Sequence, residues 1–383
     1  MNRIYKKQAT ESDVWQLACE RAEYCYRTFD HVAVFFSGGK DSTATLHVAL
    51  EVATQLKKLP VHVVHYDEEA IPPETVDYVR RVYNRDDVEL SWFCIPLKHR
   101  NAASRRSPWW YPWAPEDRER WCRPLPPEAI TKVAGFKRQT TPQLEGIVCP
   151  PSLGTVCAMM GIRTDESLNR YMAVAAGKRG FHSFLSRHQL FRHVTKAYPI
   201  YDWHVDDVWL APELFGWDYN RSYDVMSLAG IPPSQQRIAP PFGEQPLLHL
   251  WKFAICWPDL WAKMSERVPG AATAARWVDT ELYGVAGSAK PDNMSWRDYC
   301  YMLLSRMPAV DRAKVAENMR SVVAHHRKQT RRPLPDETPD PDSGLCWKNV
   351  ATIVERGDIK GRVAVGVTAA ANTRSKEKRS RRA

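Results

Sequence analysis

The strongest chemical signal in the chain is a glycine turn flanked by hydroxyl and charged side chains, Ser37-Gly38-Gly39-Lys40-Asp41-Ser42. Adjacent glycines allow backbone N–H groups to approach an anionic ligand closely, because no Cβ atom stands in the way. Ser37 and Ser42 can donate hydroxyl hydrogen bonds, and Lys40 can supply a positive charge. When a helix follows such a turn, its positive dipole end also faces the ligand. The pattern therefore predicts a binding site for nucleotide phosphates.

Asp41 distinguishes this turn from other phosphate-binding loops. A carboxylate beside bound phosphate is unfavourable unless a cation lies between them, so we expect Asp41 to bind Mg²⁺. A Walker A loop, GxxxxGK[ST], is excluded because Asp41 follows Lys40 and no glycine stands five positions before Gly39. An ordinary strand-to-helix turn is the alternative for the two glycines alone. The complete SGGKDS segment after an apolar strand favours phosphate binding.

A second candidate segment lies in the middle of the chain, at Gly161-Ile-Arg163-Thr-Asp-Glu166-Ser-Leu-Asn-Arg170. Arg163 follows a predicted strand, and Arg170 lies about two turns along the next predicted helix. Both guanidinium groups could face phosphate or sulfate oxygens, with Glu166 orienting one of them. A surface helix with an Arg–Glu pair is the alternative for this segment alone.

The elements that would position these residues alternate between strands and helices. Apolar runs predict strands over 31–36, 61–66 and 88–95, and helical spacing fills 42–58 and about 72–83. A further strand over 154–163 and a helix over 165–176 follow. This order implies an α/β fold with a parallel sheet, whose ligands bind at the carboxyl ends of the strands. Both candidate segments and Asp67 follow such strand ends.

The chain divides into three predicted regions. Residues 1–240 form the α/β domain, interrupted over about 98–138 by an irregular insertion in which arginines alternate with tryptophans. Residues 241–335 have mainly helical spacing. Residues 336–383 are predicted to be a linker, rich in proline and acid at its start, and a basic, disordered tail.

Composition limits the classes of function. No run of about 18 apolar residues and no secretory signal is present, so we expect a cytoplasmic protein without a membrane span. Nine scattered cysteines without a CxxC pair favour reduced thiols. A formal net charge of +10 would attract nucleotides, nucleic acid or an acidic partner, although a basic tail and solubility alone would also explain it.

The SGGKDS segment resembles the PP-loop of the ATP pyrophosphatase superfamily, which includes phosphoadenosine phosphosulfate (PAPS) reductases. This resemblance implies an adenine nucleotide alpha hydrolase-like, Rossmann-like domain that holds the β- and γ-phosphates of ATP. A nucleophile then attacks the α-phosphorus and pyrophosphate leaves. Lys40, Arg163 and Mg²⁺ would stabilise the charge. Asp67 would contact the ribose or adenine side.

Two further segments are similar to the PAPS reductase branch. Residues 161–170 resemble its G-[IV]-R-x-x-E-S-x-x-R signature, and residues 198–209 resemble its P-[IL]-x-D-W…D-[VI]-W segment. The three matches together span roughly residues 32–223. The resemblance implies that an adenine nucleotide, ATP or PAPS, is bound by the following residues: Ser37, Gly38, Gly39, Lys40, Ser42, Asp67, Gly161, Arg163, Glu166 and Arg170.

The cysteines depart from the reductase pattern. The branch carries a nucleophilic cysteine in an E-C-G-L-H motif, whereas Cys346 lies in SGLCW without the glutamate and histidine. Cys122, Cys149 and Cys157 offer three thiols without a clear fourth, which disfavours an iron–sulfur cluster. Attack on the α-phosphorus of ATP is therefore preferred over PAPS reduction, which stays the alternative.

The long C-terminal half and the basic insertion are similar to those of IbrA-like proteins of phage and mobile elements and, more remotely, of DndC proteins. This resemblance implies a ParB-like protein partner. The insertion and the basic tail predict nucleic-acid contact through charge and stacking. A proline-rich lid over the nucleotide site is the alternative for the insertion. A non-catalytic, nucleotide-dependent regulator is the alternative for the whole chain.

Overall fold

A computed structural model describes residues 11–104, 106–175, 184–238, 241–242, 250–272, 290–291, 293–307 and 309–380. The chain forms two compact units, Met1–Arg276 and Trp277–Ala383. The division falls later in the chain than the predicted boundary at residue 240. Among the described residues, no helix is long and apolar enough to cross a membrane.

The first unit is built on a six-stranded sheet in the order β3-β2-β1-β6-β8-β7. All neighbouring strands pair in parallel except β7, which runs antiparallel to β8. This sheet confirms the predicted α/β fold class. The strands of the sheet are β1 His31–Phe35, β2 Val61–Tyr66, β3 Val88–Phe93, β6 Val156–Met160, β7 Leu185–Arg187 and β8 Val194–Ala197. Two short strands, β4 His99–Arg100 and β5 Trp109–Trp110, form a separate hairpin.

Helices cover both faces of the sheet, which explains why the strands read as continuous apolar runs. Val34 and Val63 pack with α2 on one face, and Leu144 of α4 packs with Val64 on the other. The helices are α1 Val14–Thr28, α2 Lys40–Gln55, α3 Pro73–Tyr83, α4 Thr141–Val148, α5 Leu168–Ala175, α6 Val205–Phe215, α7 Ser222–Leu228, α8 Trp251–Cys256 and α9 Pro258–Arg267.

Within the predicted insertion, the described residues form the short β4–β5 hairpin and a 3-10 turn at Pro115–Arg120. Trp110 and Trp113 are buried in this part of the protein. The rings of these two tryptophans are therefore unavailable for stacking on nucleic-acid bases.

The second unit is helical and has its own apolar core. Its described helices are α10 Trp296–Ser305, α11 Ala309–Gln329, α12 Trp347–Glu355 and α13 Arg362–Ser380. Residues 336–383 thus contain two helices, where the sequence predicted a linker and a disordered tail. Trp347, Val350 and Val354 recur at helical spacing and are buried against α10 and α11. This packing stabilises a helix in a region that was predicted to be unstructured from its proline-rich start and basic end.

Candidate phosphate-binding site

The glycine turn joins β1 directly to α2. Gly38 adopts φ +76°, a left-handed conformation that favours glycine, and its carbonyl oxygen accepts a 2.8 Å hydrogen bond from Asn220 Nδ2. A Cβ atom on Gly38 would lie 3.1 Å from the Thr75 methyl group. Gly39 caps α2 without a side-chain hydrogen bond, so the start of the helix relies on backbone groups and the neighbouring hydroxyls.

Three backbone amides of the turn donate to hydroxyl oxygens. The Gly39 amide donates to Ser37 Oγ at 3.3 Å, and the Lys40 amide donates to the Tyr223 hydroxyl at 2.9 Å. Ser42 Oγ accepts from the Ser37 amide and donates to the Gly39 carbonyl oxygen. Hydroxyl oxygens thus occupy positions in which phosphate oxygens could accept the same bonds. Tyr223 was not among the predicted site residues.

The two predicted motifs meet because β1 and β6 are parallel neighbours, with Phe35 paired to Met160. Arg163, which follows β6, places its Nε 2.5 Å from Asp41 Oδ1. Gly161 is the point of closest approach. A Cβ atom there would lie only 2.5 Å from the Asp41 carbonyl oxygen, so a larger residue would force the strand end and the helix apart.

Asp41 is held by two cations. Arg163 lies on one carboxylate oxygen, and Lys40 Nζ lies 3.4 Å from the other. The three side chains are 4%, 7% and 14% exposed for Arg163, Lys40 and Asp41, respectively. Nearby positive charges of this kind compete with a divalent cation for the carboxylate. In this geometry both oxygens of the Asp41 carboxylate are paired with cations, and Mg²⁺ binding by Asp41 stays a prediction.

A second group of charged side chains consists of Glu166, Arg170 and Arg237. Glu166, whose side chain is 13% exposed, has one carboxylate oxygen 3.3 Å from Arg170 Nε and the other 3.9 Å from Arg237 Nη1. Arg170 and Arg237 are 42% and 37% exposed, so both guanidinium groups reach solvent. Glu166 therefore lies beside two guanidinium groups, and one of them, Arg237, was not predicted from the sequence. A role of this arrangement in binding a nucleotide stays a prediction.

The segment after α7 also lies against the loop. Lys40 Nζ is 3.4 Å from the Gln236 carbonyl oxygen, and the buried Gln236 side chain donates to Ser227 Oγ and to the Ile231 carbonyl oxygen. Lys252 Nζ donates to the Gln235 carbonyl oxygen at 2.5 Å. These residues lie far from the loop in sequence and belong to no motif, so nothing in the sequence pointed to them.

Asp67 was predicted to contact the ribose or adenine side of the nucleotide, but in the structure it is buried. Its carboxylate is fully buried and accepts hydrogen bonds from Trp92 Nε1, Trp113 Nε1 and Arg123. Burial acts to raise the pKa of Asp67, but the charges of Arg123 and His65 and the hydrogen bonds from Arg123 and Trp92 together outweigh it, so the pKa is lowered. Asp67 thus secures the insertion to the end of β2, and its oxygens are already bonded.

Glu69 forms a second buried anchor close by. Its carboxylate accepts from the backbone amides of Trp113 and Cys122, and Arg267 of α9 donates to it at 2.9 Å. Arg267 also donates to the Tyr111 carbonyl oxygen. Strand end, insertion and α9 are therefore tied together by one buried charge pair.

Comparison with known proteins assigns the chain to a family. Residues 31–224 match the phosphoadenosine phosphosulfate reductase domain. The chain belongs to the PAPS reductase domain family. Residues 230–338 match a second family, described as a domain of unknown function, DUF3440. Uncharacterized protein YbdN of Escherichia coli K12 is 33% identical over 326 residues, which cover 82% of this chain and 79% of YbdN.

Two solved structures are more distant. The FMN adenylyltransferase of Candida glabrata is 10% identical with a TM-score of 0.35, over 57% of this chain and 62% of that one. The chain therefore spans less than two thirds of that enzyme. The PAPS reductase of Candida auris is 12% identical with a TM-score of 0.30, over 57% of this chain and 94% of that one.

Four cysteines of this member of the PAPS reductase domain family bear on the reductase alternative. Cys122, Cys149, Cys157 and Cys346 are all buried. Burial raises the pKa of Cys149 to about 12 and also raises that of Cys122, whereas a hydrogen bond with Cys25 is the largest cause for Cys157. Cys346 Sγ donates to Asn349 Oδ1 in the second unit. Within the described residues, no three His, Cys, Asp or Glu side chains are grouped as metal ligands.

Proposed function

We propose that the protein binds ATP or a related adenine nucleotide at the glycine turn and acts at the α-phosphate, with release of pyrophosphate. The observation that carries this proposal is the 2.5 Å contact between Arg163 and Asp41, because it brings the PP-loop and the Arg-Glu-Ser segment to one site. Family membership supports the same site. Its reaction and its acceptor are our proposal.

The residues at the site suit charge stabilisation. The amides of Gly39 and Lys40 would exchange their hydroxyl partners for phosphate oxygens, while Lys40 and Arg163 face the charge that develops as the bond to pyrophosphate breaks. An oxygen of water or of an acceptor hydroxyl would attack the α-phosphorus and release its proton to solvent. The bond from the α-phosphorus to the bridging oxygen would break, and that oxygen would leave with the bonding electron pair as part of pyrophosphate. Hydrolysis yields AMP, and transfer yields an adenylylated acceptor.

The test uses purified protein and ATP labelled at the α-phosphate, with separation of AMP, pyrophosphate and labelled acceptor. Lys40→Met and Arg163→Gln should each abolish product formation. Arg81→Gln is the matched control because Arg81 pairs with Asp218 on the surface. Absence of all three products from the unaltered protein, with and without DNA and a cell extract, would refute the enzymatic proposal.

The acceptor is proposed to be nucleic acid or a partner protein such as the ParB-like protein implied by the IbrA resemblance. One exposed part of the insertion favours a nucleic acid: Trp109 is 39% exposed, and Lys98 Nζ lies 4.3 Å from its ring centroid. If DNA is the acceptor, labelled DNA should form with the unaltered protein and fail to form with Trp109→Ala.

PAPS reduction is the second candidate function, and its test is sulfite release in the presence of thioredoxin.

A further inference from the structure

The part of the chain that follows the PAPS reductase domain contributes its own contacts to the phosphate site. Gln235, Gln236 and Arg237 are consecutive, and each is joined to a charged residue of that site or its surroundings. Gln236 meets Lys40 in the glycine turn, and Arg237 Nη2 donates to the Glu166 carbonyl oxygen at 2.8 Å. All three lie within the region that matches the domain of unknown function.

The charges around this segment do not balance. Among the residues that the structure describes, positive charge comes from five side chains, and the carboxylates in direct contact with them are those of Asp41 and Glu166. The positive side chains are Lys40, Arg163, Arg170, Arg237 and Lys252. Burial lowers the pKa of Lys252, and the charge of Arg237 lowers it further. Lys252 also bonds the carbonyl oxygen of Gln235, two positions before Arg237. Such a surplus attracts an anion that carries several charges.

We infer that Arg237 and Lys252 form a second anion subsite, which takes an additional phosphate or sulfate group of the nucleotide held by the glycine turn. The inference rests on the proposed nucleotide binding and names its ligand class: a nucleotide with more than one anionic group. ATP and PAPS share this chemistry. AMP, with one phosphate, would engage the inner cations and leave the second subsite empty.

The placement of the cations supports two subsites. Lys40 and Arg163 are buried beside Asp41, whereas Arg170 and Arg237 are partly exposed and both pair with Glu166. Glu166 therefore lies between two guanidinium groups, and each retains donors for a ligand, since a guanidinium carries five N–H groups. Lys252 is almost fully buried, and its ammonium group keeps donors beyond its bond to Gln235.

The experiment measures the dissociation constants of ATP, PAPS and AMP by calorimetry with the full-length protein. Arg237→Gln should weaken ATP or PAPS binding about tenfold, the effect of losing one charge-assisted contact, and change AMP binding by less than about twofold. Lys252→Met should act in the same direction. Arg27→Gln is the control, because Arg27 pairs with Glu23 on the surface of α1.

The outcomes separate the two proposals. If the unaltered protein binds none of the three nucleotides, the proposed function fails. If it binds ATP or PAPS and Arg237→Gln binds them equally well, or loses AMP affinity to the same extent, the second subsite is refuted while the first stands. A loss confined to ATP or to PAPS supports the subsite and identifies which anion it receives. Thermal unfolding of each variant checks that the fold is retained.

Discussion

Replacing Asp41 by asparagine tests the electrostatics of the site most directly. The change keeps the size of the side chain and one oxygen that can accept from Arg163 Nε, and it removes the negative charge between Arg163 and Lys40. If Asp41 positions these cations, its removal should destabilise the folded protein and strengthen the binding of an anionic nucleotide. If Asp41 binds Mg²⁺, its removal should weaken nucleotide binding.

The magnitudes follow from burial. Removing one partner of a buried ion pair costs about 3–5 kcal/mol of folding free energy. Arg163 also donates to the Trp203 carbonyl oxygen at 3.4 Å, and asparagine retains one acceptor. We therefore expect Asp41→Asn to lower the free energy of unfolding by about 2–3 kcal/mol. Loss of a unit negative charge near the phosphates should tighten ATP binding roughly tenfold.

The assay combines urea unfolding with ATP titration in Mg²⁺ and in EDTA. Asp218→Asn is the matched control, because Asp218 forms a half-exposed pair with Arg81 and should cost less than about 1 kcal/mol. The reasoning is refuted if Asp41→Asn binds ATP more weakly than the unaltered protein in Mg²⁺ but equally in EDTA. That pattern would identify Asp41 as a metal ligand.

Three further variants probe neighbouring groups. Asp67→Asn should cost about 3 kcal/mol of stability, leaving Arg123 buried and unpaired, without changing ATP affinity. Because the pKa of Asp67 is lowered in the folded protein, its stabilising effect is present at neutral pH and is lost as the pH falls below 3.8. Tyr223→Phe should free the Lys40 amide, lowering stability by about 1 kcal/mol and tightening ATP binding up to about fivefold. Burial raises the pKa of Glu68 from 4.5 to about 8, so stability should fall as the pH rises through that range, and Glu68→Gln should flatten this dependence.

Each of these predictions has a contrary result. A loss of ATP affinity in Asp67→Asn, at unchanged stability, would support the prediction that Asp67 contacts the ribose or adenine side. Weaker ATP binding by Tyr223→Phe would show that the hydroxyl contacts the ligand. An unchanged pH profile of urea unfolding in Glu68→Gln would show that another group causes the dependence.

The sheet and its two motifs could be predicted from sequence because their signals are local. Val32–Phe36 is an apolar run that ends abruptly at Gly38, and that pattern depends on no distant residue. Once β1 and β6 are recognised as parallel strands, their carboxyl ends must lie at the same edge of the sheet. The meeting of Asp41 and Arg163 follows from this placement.

The errors arose where distant residues decide the outcome. Asp67 was correctly placed at a strand end, but its direction depends on Trp92 and Arg123, which bury and bond its carboxylate. Tyr223 reaches the Lys40 amide across 183 positions of sequence. No pattern of residue types or spacing encodes such contacts, because packing of the folded chain creates them.

The buried pair of Glu69 and Arg267 has a consequence for how this protein can be divided. The region similar to PAPS reductases ends at residue 224, yet the arginine that neutralises Glu69 comes from α9, beyond that limit. A fragment that ends at residue 224 would lack the arginine that pairs with the buried Glu69 carboxylate. The family match therefore ends before the residues that complete this domain, and a fragment designed for expression should include α9.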